Sequence, residues 1–280
     1  MIQRSHLGPR DLAAWNEGLA RLGAAVGEAA ISGALAAALK VIVDFDAIFL
    51  ATLHRDAPPT VHYHTGTREP GPRYSEGPYL LDPFYIHFLN RGVDGCYPLS
   101  ELAPQGFRRS EYFSIYYRHL EIDDELGLLV TLGSKSCAHV SIIRKRGAPR
   151  FTRRDCDWLK ATGPLTSEAI RRINATLAPP AEDASAVHDS LHRAYHSFGA
   201  SVLTERERQV THLLLQGNSA KSIARLAAIA PDTARNHLKH IYSKLGVASQ
   251  TQLFALFFRV LEHVEPGFDG DPLTRLGSVD

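Results

Sequence analysis

The stretch APDTARNHLKHIYSKLGV, residues 230–247, constrains the fold more than any other part of this 280-residue chain. As an α-helix it would have two unlike faces. The apolar face consists of Ala234, Leu238, Ile241 and Leu245. The opposite face carries hydrogen-bonding side chains, namely Arg235, Asn236, Lys239 and Ser243. Such a helix needs other helices against its first face and a polar target in front of its second.

Three further helices are predicted around this stretch. The segment LTERERQVTHLLLQGNS opens with Thr204 and has Glu207 three residues later, which is a capping box, and Gly217 ends that helix. Ser219 can cap a second, short helix. The residues of that helix expected to face inward are Ile223, Leu226 and Ala227. Pro231 suits the first turn of the third helix, and SQTQLFALFFRVLEHV predicts a fourth.

The charge distribution indicates a nucleic-acid partner for this part of the chain. Residues 201–264 contain eight Lys and Arg against four Asp and Glu, a net charge of +4, so the rest of the chain sums to −3. The second and third helices, joined by a short turn, match a helix-turn-helix, whose second helix lies in the major groove. The partner predicted from this pattern is a double-stranded DNA operator.

The side chains of the third helix suggest a division of roles. Arg235, Asn236 and Lys239 can reach base edges, since these residue types form the common base contacts. The residues better placed for phosphates are Ser219, Lys221, Thr233 and Lys244.

The motifs LTERE, QGNSAKSIA and TARNHLKHIYSKLGV, with the spacing between them, closely resemble the LuxR-type helix-turn-helix family. The resemblance implies a four-helix DNA-binding domain of a bacterial transcriptional regulator. It also implies that the third helix contacts DNA and that the fourth contributes to dimer contacts. Ala230, Ala234 and Gln250 depart from the Ser, Val and Arg usual in the family.

The N-terminal part predicts a different fold class. Helical spacing of apolar residues favours a helix over residues 10–40. The segments VIVDFDAIFLATLH, VHYHTG, ELGLLVTLG and CAHVSIIRK predict strands because they are rich in β-branched and aromatic residues. The segment FTRRDCDWLKATGPLTSEAIRRINATL predicts a long amphipathic helix with a threonine cap, and it resembles the final helix of GAF domains. We therefore expect an α+β, GAF/PAS-like sensor domain with an antiparallel sheet flanked by helices.

These patterns set the expected domain boundaries. The sensor domain covers residues 1–178, and a linker that begins with APPAEDASA covers 179–202. The helix-turn-helix domain covers 203–264, and residues 265–280 form a flexible tail.

Tyrosine and phenylalanine concentrate in residues 79–117, where they can form either a plain core or a small-molecule pocket. Buried tyrosine hydroxyls need partners, which favours a cavity with polar tips. The candidate ligand-binding residues are Tyr63, Asp82, Phe84, Tyr85, Tyr112, Tyr116, Tyr117 and His139. The ligand itself is not identified by the sequence.

Acyl-homoserine-lactone receptors of the LuxR type are an alternative for the sensor domain. They have a sensor of similar length before the DNA-binding part, and Asp82-Pro83 resembles an Asp-Pro in their pocket. Their pocket tryptophans are missing, because Trp15 and Trp158 both lie in the flanking helices. A phosphoreceiver is disfavoured, since the chain opens with a long helix rather than a strand followed by paired acids.

No catalytic constellation is predicted, so we expect no enzyme activity, no cofactor and no bound metal. The run Asp123–Glu125 is expected in a loop or helix cap. His62 and His64 would share a strand face, which makes only two metal ligands. Three alternatives stay open: a fused enzyme, a domain that binds a protein partner, and a metal or redox sensor using His62, His64, Cys137 and His139.

The remaining features concern location and assembly. The three cysteines include no C-x-x-C pair, which disfavours a zinc site and a disulfide framework, and no signal peptide or membrane span is predicted. A cytoplasmic protein without membrane contact is expected. Two half-sites on DNA require two recognition helices, which predicts a homodimer. The candidate interface residues are Trp15, Trp158, Leu253, Leu256 and Phe257.

Overall fold

The computed structural model describes residues 8–65, 74–90, 94–118, 121–177 and 182–278. They form a five-stranded antiparallel sheet with flanking helices, followed by an all-helical part, so the predicted fold class is confirmed. Within these ranges, no helix is long and apolar enough to span a bilayer.

Two N-terminal helices replace the single helix predicted over residues 10–40. Helix α1 spans Pro9–Ala24 and α2 spans Glu28–Ile42. The helix is interrupted before Glu28 by Gly27, whose φ of 84° lies in the left-handed region that glycine adopts without strain. Helix α2 buries Leu35 and Leu39 in the core on one side of the sheet.

The sheet has the strand order β2-β1-β5-β4-β3. Its strands are β1 (Ala47–His54), β2 (Thr60–His64), β3 (Gly95–Pro98), β4 (Ile122–Thr131) and β5 (Ser136–Lys145). The acidic run Asp123–Glu125 lies within β4, so its predicted loop or cap position is wrong. Its location in a strand turns Glu125 toward the interior, where only 5% of the residue is exposed.

A bulge in β2 changes the direction of its side chains. Leu50 pairs with Tyr63 and Ala51 pairs with Val61, which leaves His62 as an extra residue. Tyr63 therefore packs in the helix-side core, whereas Val61 packs in the core on the other side.

The two faces of the sheet differ in chemistry. The centre of the face toward α2 is apolar and includes Leu126, Leu128, Val140 and Ile142. The opposite face carries several polar residues, namely Glu125, His139 and Ser141. Residues 74–90 and 99–118 cover this second face with α3 (Pro83–Asn90), the single-turn α4 (Leu99–Leu102) and a π-helix over Phe113–Arg118.

The long helix predicted after the sheet is two helices. Helix α5 spans Arg153–Ala161 and α6 spans Gly163–Asn174. Thr152 caps α5 through a capping box with Asp155, which confirms the predicted threonine cap. The second helix has Pro164 in its first turn, where a missing N–H disrupts no helical hydrogen bond.

The C-terminal part contains α7 (Glu182–Ser197), α8 (Glu205–Leu215), α9 (Ala220–Leu226), α10 (Pro231–Lys244) and α11 (Gln250–Leu261). Most of the expected linker is thus the helix α7. Ile223 and Ala227 are buried as predicted, but Leu226 is 54% exposed, so its predicted inward position is wrong. It is the last residue of the two-turn helix α9.

The segment expected to be a flexible tail is packed in the part that the structure describes. The Asp271 carboxylate accepts hydrogen bonds from the backbone amides of Gly199 (3.0 Å) and Ser201 (2.7 Å). Phe268 is buried, and residues Pro272–Ser278 form a 3₁₀ helix. The backbone amides of the loop after α7 therefore hold this segment in place through their hydrogen bonds to Asp271.

Candidate nucleic-acid interface and ligand site

The two faces of α10 are arranged as its amphipathic pattern predicts. Ala234 and Ile241 are fully buried, and Leu238 and Leu245 are half-buried. The exposed face consists of Arg235, Asn236, Lys239 and Ser243. Because α8 and α9 support the buried face, the exposed donors project from a rigid scaffold with the dimensions of a major-groove helix.

Arg235 makes a weak surface ion pair within its own helix. Its guanidinium lies 3.0 Å from the Asp232 carboxylate, and the side chains are 57% and 89% exposed. A pair this exposed contributes at most about 1 kcal/mol, so a base or phosphate can replace the carboxylate.

Three of the candidate phosphate contacts lie at the starts of α9 and α10. Ser219 caps α9, with its hydroxyl accepting a hydrogen bond from the amide of Ser222 at 3.2 Å. Lys221 and Thr233 are exposed in the first turns of α9 and α10. Positive helix ends favour anions, so this edge of the motif suits DNA backbone oxygens.

Lys244, the fourth candidate phosphate contact, is engaged inside the domain. Its ammonium lies 2.7 Å from a Glu207 carboxylate oxygen, and the Glu207 side chain is only 5% exposed. The same oxygen accepts hydrogen bonds from the amide and hydroxyl of Thr204, both at 2.9 Å. Burial acts to raise the pKa of Glu207, but Lys244 and Thr204 outweigh it and lower that pKa to about 2. The pair therefore joins the end of α10 to the start of α8.

The variant Glu207→Gln is expected to destabilise the helix-turn-helix by about 1 kcal/mol, since it removes the ion pair with the 40% exposed Lys244. A glutamine can still accept from the Thr204 amide and so keeps the capping box. Because the pKa is lowered, this stabilisation is present above the ordinary carboxyl pKa of 4.5 and is lost as pH falls toward 2. Urea unfolding at pH 7 and pH 3 should show a difference that shrinks in acid. Glu205→Gln, at a position 84% exposed, is the matched control, and equal losses from both variants would contradict this role for Glu207.

In the sensor domain, a cluster of buried polar side chains lies between the sheet and its aromatic cover. Asp82 accepts hydrogen bonds from the Tyr74 hydroxyl (2.7 Å) and the Phe84 amide (2.7 Å). Burial raises the pKa of Asp82, although these hydrogen bonds oppose the shift. Tyr112 is buried close enough to Asp82 for that carboxyl to raise the tyrosine pKa further.

Glu125 and Ser141 continue this cluster on the sheet. The Ser141 hydroxyl donates to Glu125 Oε1, and Tyr117 is buried close enough to this carboxyl for each group to affect the pKa of the other. Burial raises the pKa of Glu125 to about 8, so the carboxyl is largely protonated at neutral pH. Its second oxygen, Oε2, is buried without a hydrogen-bond partner.

His139 is the most incompletely bonded group of this cluster. Both ring nitrogens are buried without a hydrogen-bond partner, and burial lowers the pKa of the ring to about 3. The imidazole lies between the rings of Phe84 (5.0 Å between centroids) and Phe49 (6.0 Å). A neutral histidine in such a position offers one donor and one acceptor to a bound molecule.

We call Asp82, Tyr117, Glu125, His139 and Ser141 the polar core. The structure brings together the candidate ligand residues Asp82, Phe84, Tyr112, Tyr117 and His139. Sequence reasoning missed Tyr74, Glu125 and Ser141. The polar residues at alternate positions of CAHVSII were the signal available for Ser141.

Three candidate ligand residues lie elsewhere. Tyr63 faces the helix-side core because of the β2 bulge. The Tyr85 hydroxyl donates to the His54 carbonyl and contacts His192 of α7 at 3.1 Å. Tyr116 lines a cleft against α11.

The possible metal ligands do not converge. His62 is buried and hydrogen-bonds Thr52 (2.8 Å) and Glu28 (3.1 Å), while His64 is exposed, so the prediction that both share one face is wrong. The bulge at His62 is the reason. Among the described residues, no group of three or more His, Cys, Asp or Glu side chains has a geometry able to hold a metal ion.

The helix-turn-helix packs directly against the sensor. At Gly106, a Cβ atom would lie 2.7 Å from the Ser219 amide nitrogen and 3.1 Å from the Asn218 carbonyl carbon. The Thr251 hydroxyl of α11 also donates to the Glu111 carboxylate at 2.6 Å. We call these contacts the domain seam.

The three α11 residues expected at a dimer interface are instead inside this chain. Leu253 and Phe257 are fully buried, and Leu256 is 9% exposed. The Phe257 ring packs against Phe198 at 5.3 Å and Tyr195 at 5.9 Å. Their predicted place on a dimer surface is wrong for this arrangement, because α7 covers that face of α11.

Comparison with known proteins identifies relatives of both parts. Residues 201–257 match the family model described as bacterial regulatory proteins, luxR family. An HTH-type transcriptional regulator of Aeromonas salmonicida, described by its position in the exeN 3′ region, is 30% identical over 189 residues, which cover 64% of this chain and 94% of that protein. The spore germination protein GerE of Bacillus subtilis is 39% identical over 61 residues, covering 22% of this chain and 82% of GerE.

A solved structure shares the fold of the sensor part. The LBD domain of VqsR from Pseudomonas aeruginosa aligns with a TM-score of 0.51 at 22% identity. The alignment covers 59% of this chain and 99% of the VqsR domain. At this identity the likeness establishes the fold of the domain.

Proposed function

This chain belongs to the luxR family of bacterial regulatory proteins, and we propose that a small molecule in its polar core controls how its helix-turn-helix binds DNA. It is a transcriptional regulator of the helix-turn-helix type. The observation that carries the proposal is the set of buried, unpartnered polar atoms of His139 and Glu125. Native cores seldom leave such atoms unbonded, and each one costs about 1–3 kcal/mol, so a bound polar molecule gives them a purpose.

Arg235, Asn236 and Lys239 are proposed to contact bases, and Ser219, Lys221 and Thr233 are proposed to contact phosphates. Lys244 can bind a phosphate only with the N–H groups of its ammonium that are not bonded to Glu207. An ammonium has three donors, so both contacts are compatible.

The variant Arg235→Ala is expected to lose about 1–3 kcal/mol of affinity for an operator selected from random DNA, while its affinity for unrelated DNA falls little. Arg259→Ala is the matched control, because Arg259 is an exposed arginine in the last turn of α11 rather than on α10. Fluorescence anisotropy at two salt concentrations measures both affinities. Equal losses on selected and unrelated DNA would contradict base contact by Arg235, and failure to select any DNA would contradict the operator proposal.

The coupling between ligand and DNA is proposed to run through residues 104–117. This segment supplies Tyr117 to the polar core and Gly106 and Glu111 to the domain seam, and its Tyr112 is buried near Asp82. A ligand that binds one arrangement of this segment better than another shifts the population of docked helix-turn-helix domains.

We also propose that each chain consists of a sensor domain, residues 1–178, and a helix-turn-helix domain, residues 203–264. Two such chains are proposed to form a dimer. Since the apolar face of α11 is covered, the half-buried Trp15 and Trp158 of the sensor helices are the better candidates for contact between copies. Two copies place two recognition helices on neighbouring half-sites.

An acyl-homoserine lactone is a second candidate ligand. The Asp82 carboxyl lies in the polar core, where it can accept a hydrogen bond from an amide. Neither tryptophan lies there, since Trp15 belongs to α1 and Trp158 to α5. Stabilisation of the purified protein by octanoyl-homoserine lactone, lost in Asp82→Asn, would favour this candidate over other ligands.

A further inference from the structure

A cleft of about 240 Å³ lies between the sensor and α11, outside the polar core and away from the exposed face of α10. Its floor is apolar and includes Ile115 from the sensor and Phe254 and Phe258 from α11. Its walls belong to two domains, so the cleft exists only while α11 lies against the sensor.

The floor of the cleft suits a flat or aliphatic group. The rings of Phe254 and Phe258 lie 4.6 Å apart with an interplanar angle of 44°. Ile115 is 37% exposed, so its side chain is accessible to a bound molecule. The volume is slightly below the range of about 300–1,000 Å³ typical of ligand pockets, so the fitting molecule is small, such as one ring with a short arm.

The charged side chains that line the cleft are all acidic. It contains the carboxylates of Glu76, Glu111 and Glu262, and no Lys, Arg or His is among the described residues that line it. Glu111 is held in position by the Thr251 hydroxyl at 2.6 Å. A cation beside these carboxylates gains Coulomb energy, and it gains more where the aromatic rings exclude water.

We propose that this cleft binds a small organic cation, with its apolar body on Phe254 and Phe258 and its ammonium group facing Glu111 and Glu262. A bare metal ion fits poorly, because the floor offers no oxygen ligands and no three-ligand group occurs in the described residues. Because both domains form the walls, the bound cation holds α11 on the sensor by mass action. The site is separate from the polar core and goes beyond the function proposed above.

The test uses the full-length chain and two probes of nearly equal shape, 2-phenylethylamine and 2-phenylethanol, in ligand-observed NMR titrations at pH 7.5. The amine should bind about tenfold more tightly than the alcohol. Raising the salt to 0.5 M should weaken the amine and leave the alcohol unchanged, because salt screens only the charged contact.

Variants separate the charged contact from the shape of the cleft. Glu111→Gln combined with Glu262→Gln should remove the preference for the amine, whereas Glu265→Gln, exposed and outside the lining, should keep it. Ala255→Leu places a larger side chain in the cleft from an exposed position of α11 and should abolish binding of both probes, with thermal unfolding confirming that the variant is folded. Equal affinity for amine and alcohol, binding of neither, or an unchanged preference in the double variant would overturn the proposal. DNA binding without the probes is measured separately, so failure here leaves the regulator function intact.

Discussion

Gly106→Ala is expected to detach the helix-turn-helix from the sensor. The backbone of Gly106 has a φ of −92°, which alanine adopts without strain, so the effect is purely steric. The added methyl would lie 2.7 Å from the Ser219 amide nitrogen and would overlap the Gly217 carbonyl oxygen. These atoms belong to the backbone of the turn between α8 and α9, so one of them cannot shift without moving the rest of the turn. We expect docking to weaken by about 3 kcal/mol, the upper end of the range for overpacking.

Hydrogen exchange measures this effect directly. Amides of residues 104–117 and of the α8–α9 turn should exchange faster in Gly106→Ala than in the natural protein, because both surfaces become exposed. Gly133→Ala is the matched control, since a Cβ there meets no atom within 4 Å and its φ is not positive. Identical exchange in the two variants would show that Gly106 does not maintain the domain seam. A change in operator affinity confined to Gly106→Ala would show that docking also controls DNA binding.

The helix-turn-helix could be predicted almost completely because its signals are local. The capping box of Thr204 and Glu207 and the Ser219 cap mark helix starts within a few residues, and both are present in the structure. The buried and exposed faces of α10 follow from its own periodicity. The exceptions are Leu226, which is exposed, and the α11 residues predicted at a dimer surface, which pack against α7. Their surroundings depend on how the helices pack together, which no local pattern records.

The polar core could be predicted only in part because its members are brought together by the sheet. Glu125 stands in an acidic run typical of loops, and only its position in β4 turns it toward Ser141. Tyr63 is a residue type common in ligand pockets, yet the bulge at His62 directs its side chain to the sheet face that packs against α2. Single-residue irregularities of this kind leave no clear trace in composition or spacing.

Glu125→Gln is expected to raise the free energy of unfolding by roughly 3–5 kcal/mol at pH 8 and to leave it nearly unchanged at pH 4. Burial raises the pKa of this carboxyl from the ordinary 4.5 to about 8. For a raised carboxyl pKa, the protonated form is the one that folds, so its stability is fully present below pH 4.5 and is lost as pH rises toward 8. Glutamine has no proton to lose, and its carbonyl can still accept from the Ser141 hydroxyl.

Urea unfolding across pH 4–8 tests this result, with Glu101→Gln, an exposed carboxylate on α4, as the matched control. The natural protein should lose stability over this range relative to Glu125→Gln but in parallel with Glu101→Gln. Parallel curves for all three proteins would contradict a buried, protonated Glu125. A carboxyl that lowers stability at neutral pH, beside a histidine whose nitrogens are both unbonded, has no structural advantage over glutamine. Glu125→Gln should therefore become more stable and yet lose the effect of the ligand on DNA binding. If Glu125 only supported the fold, its replacement would lower stability and leave the response to the ligand in place.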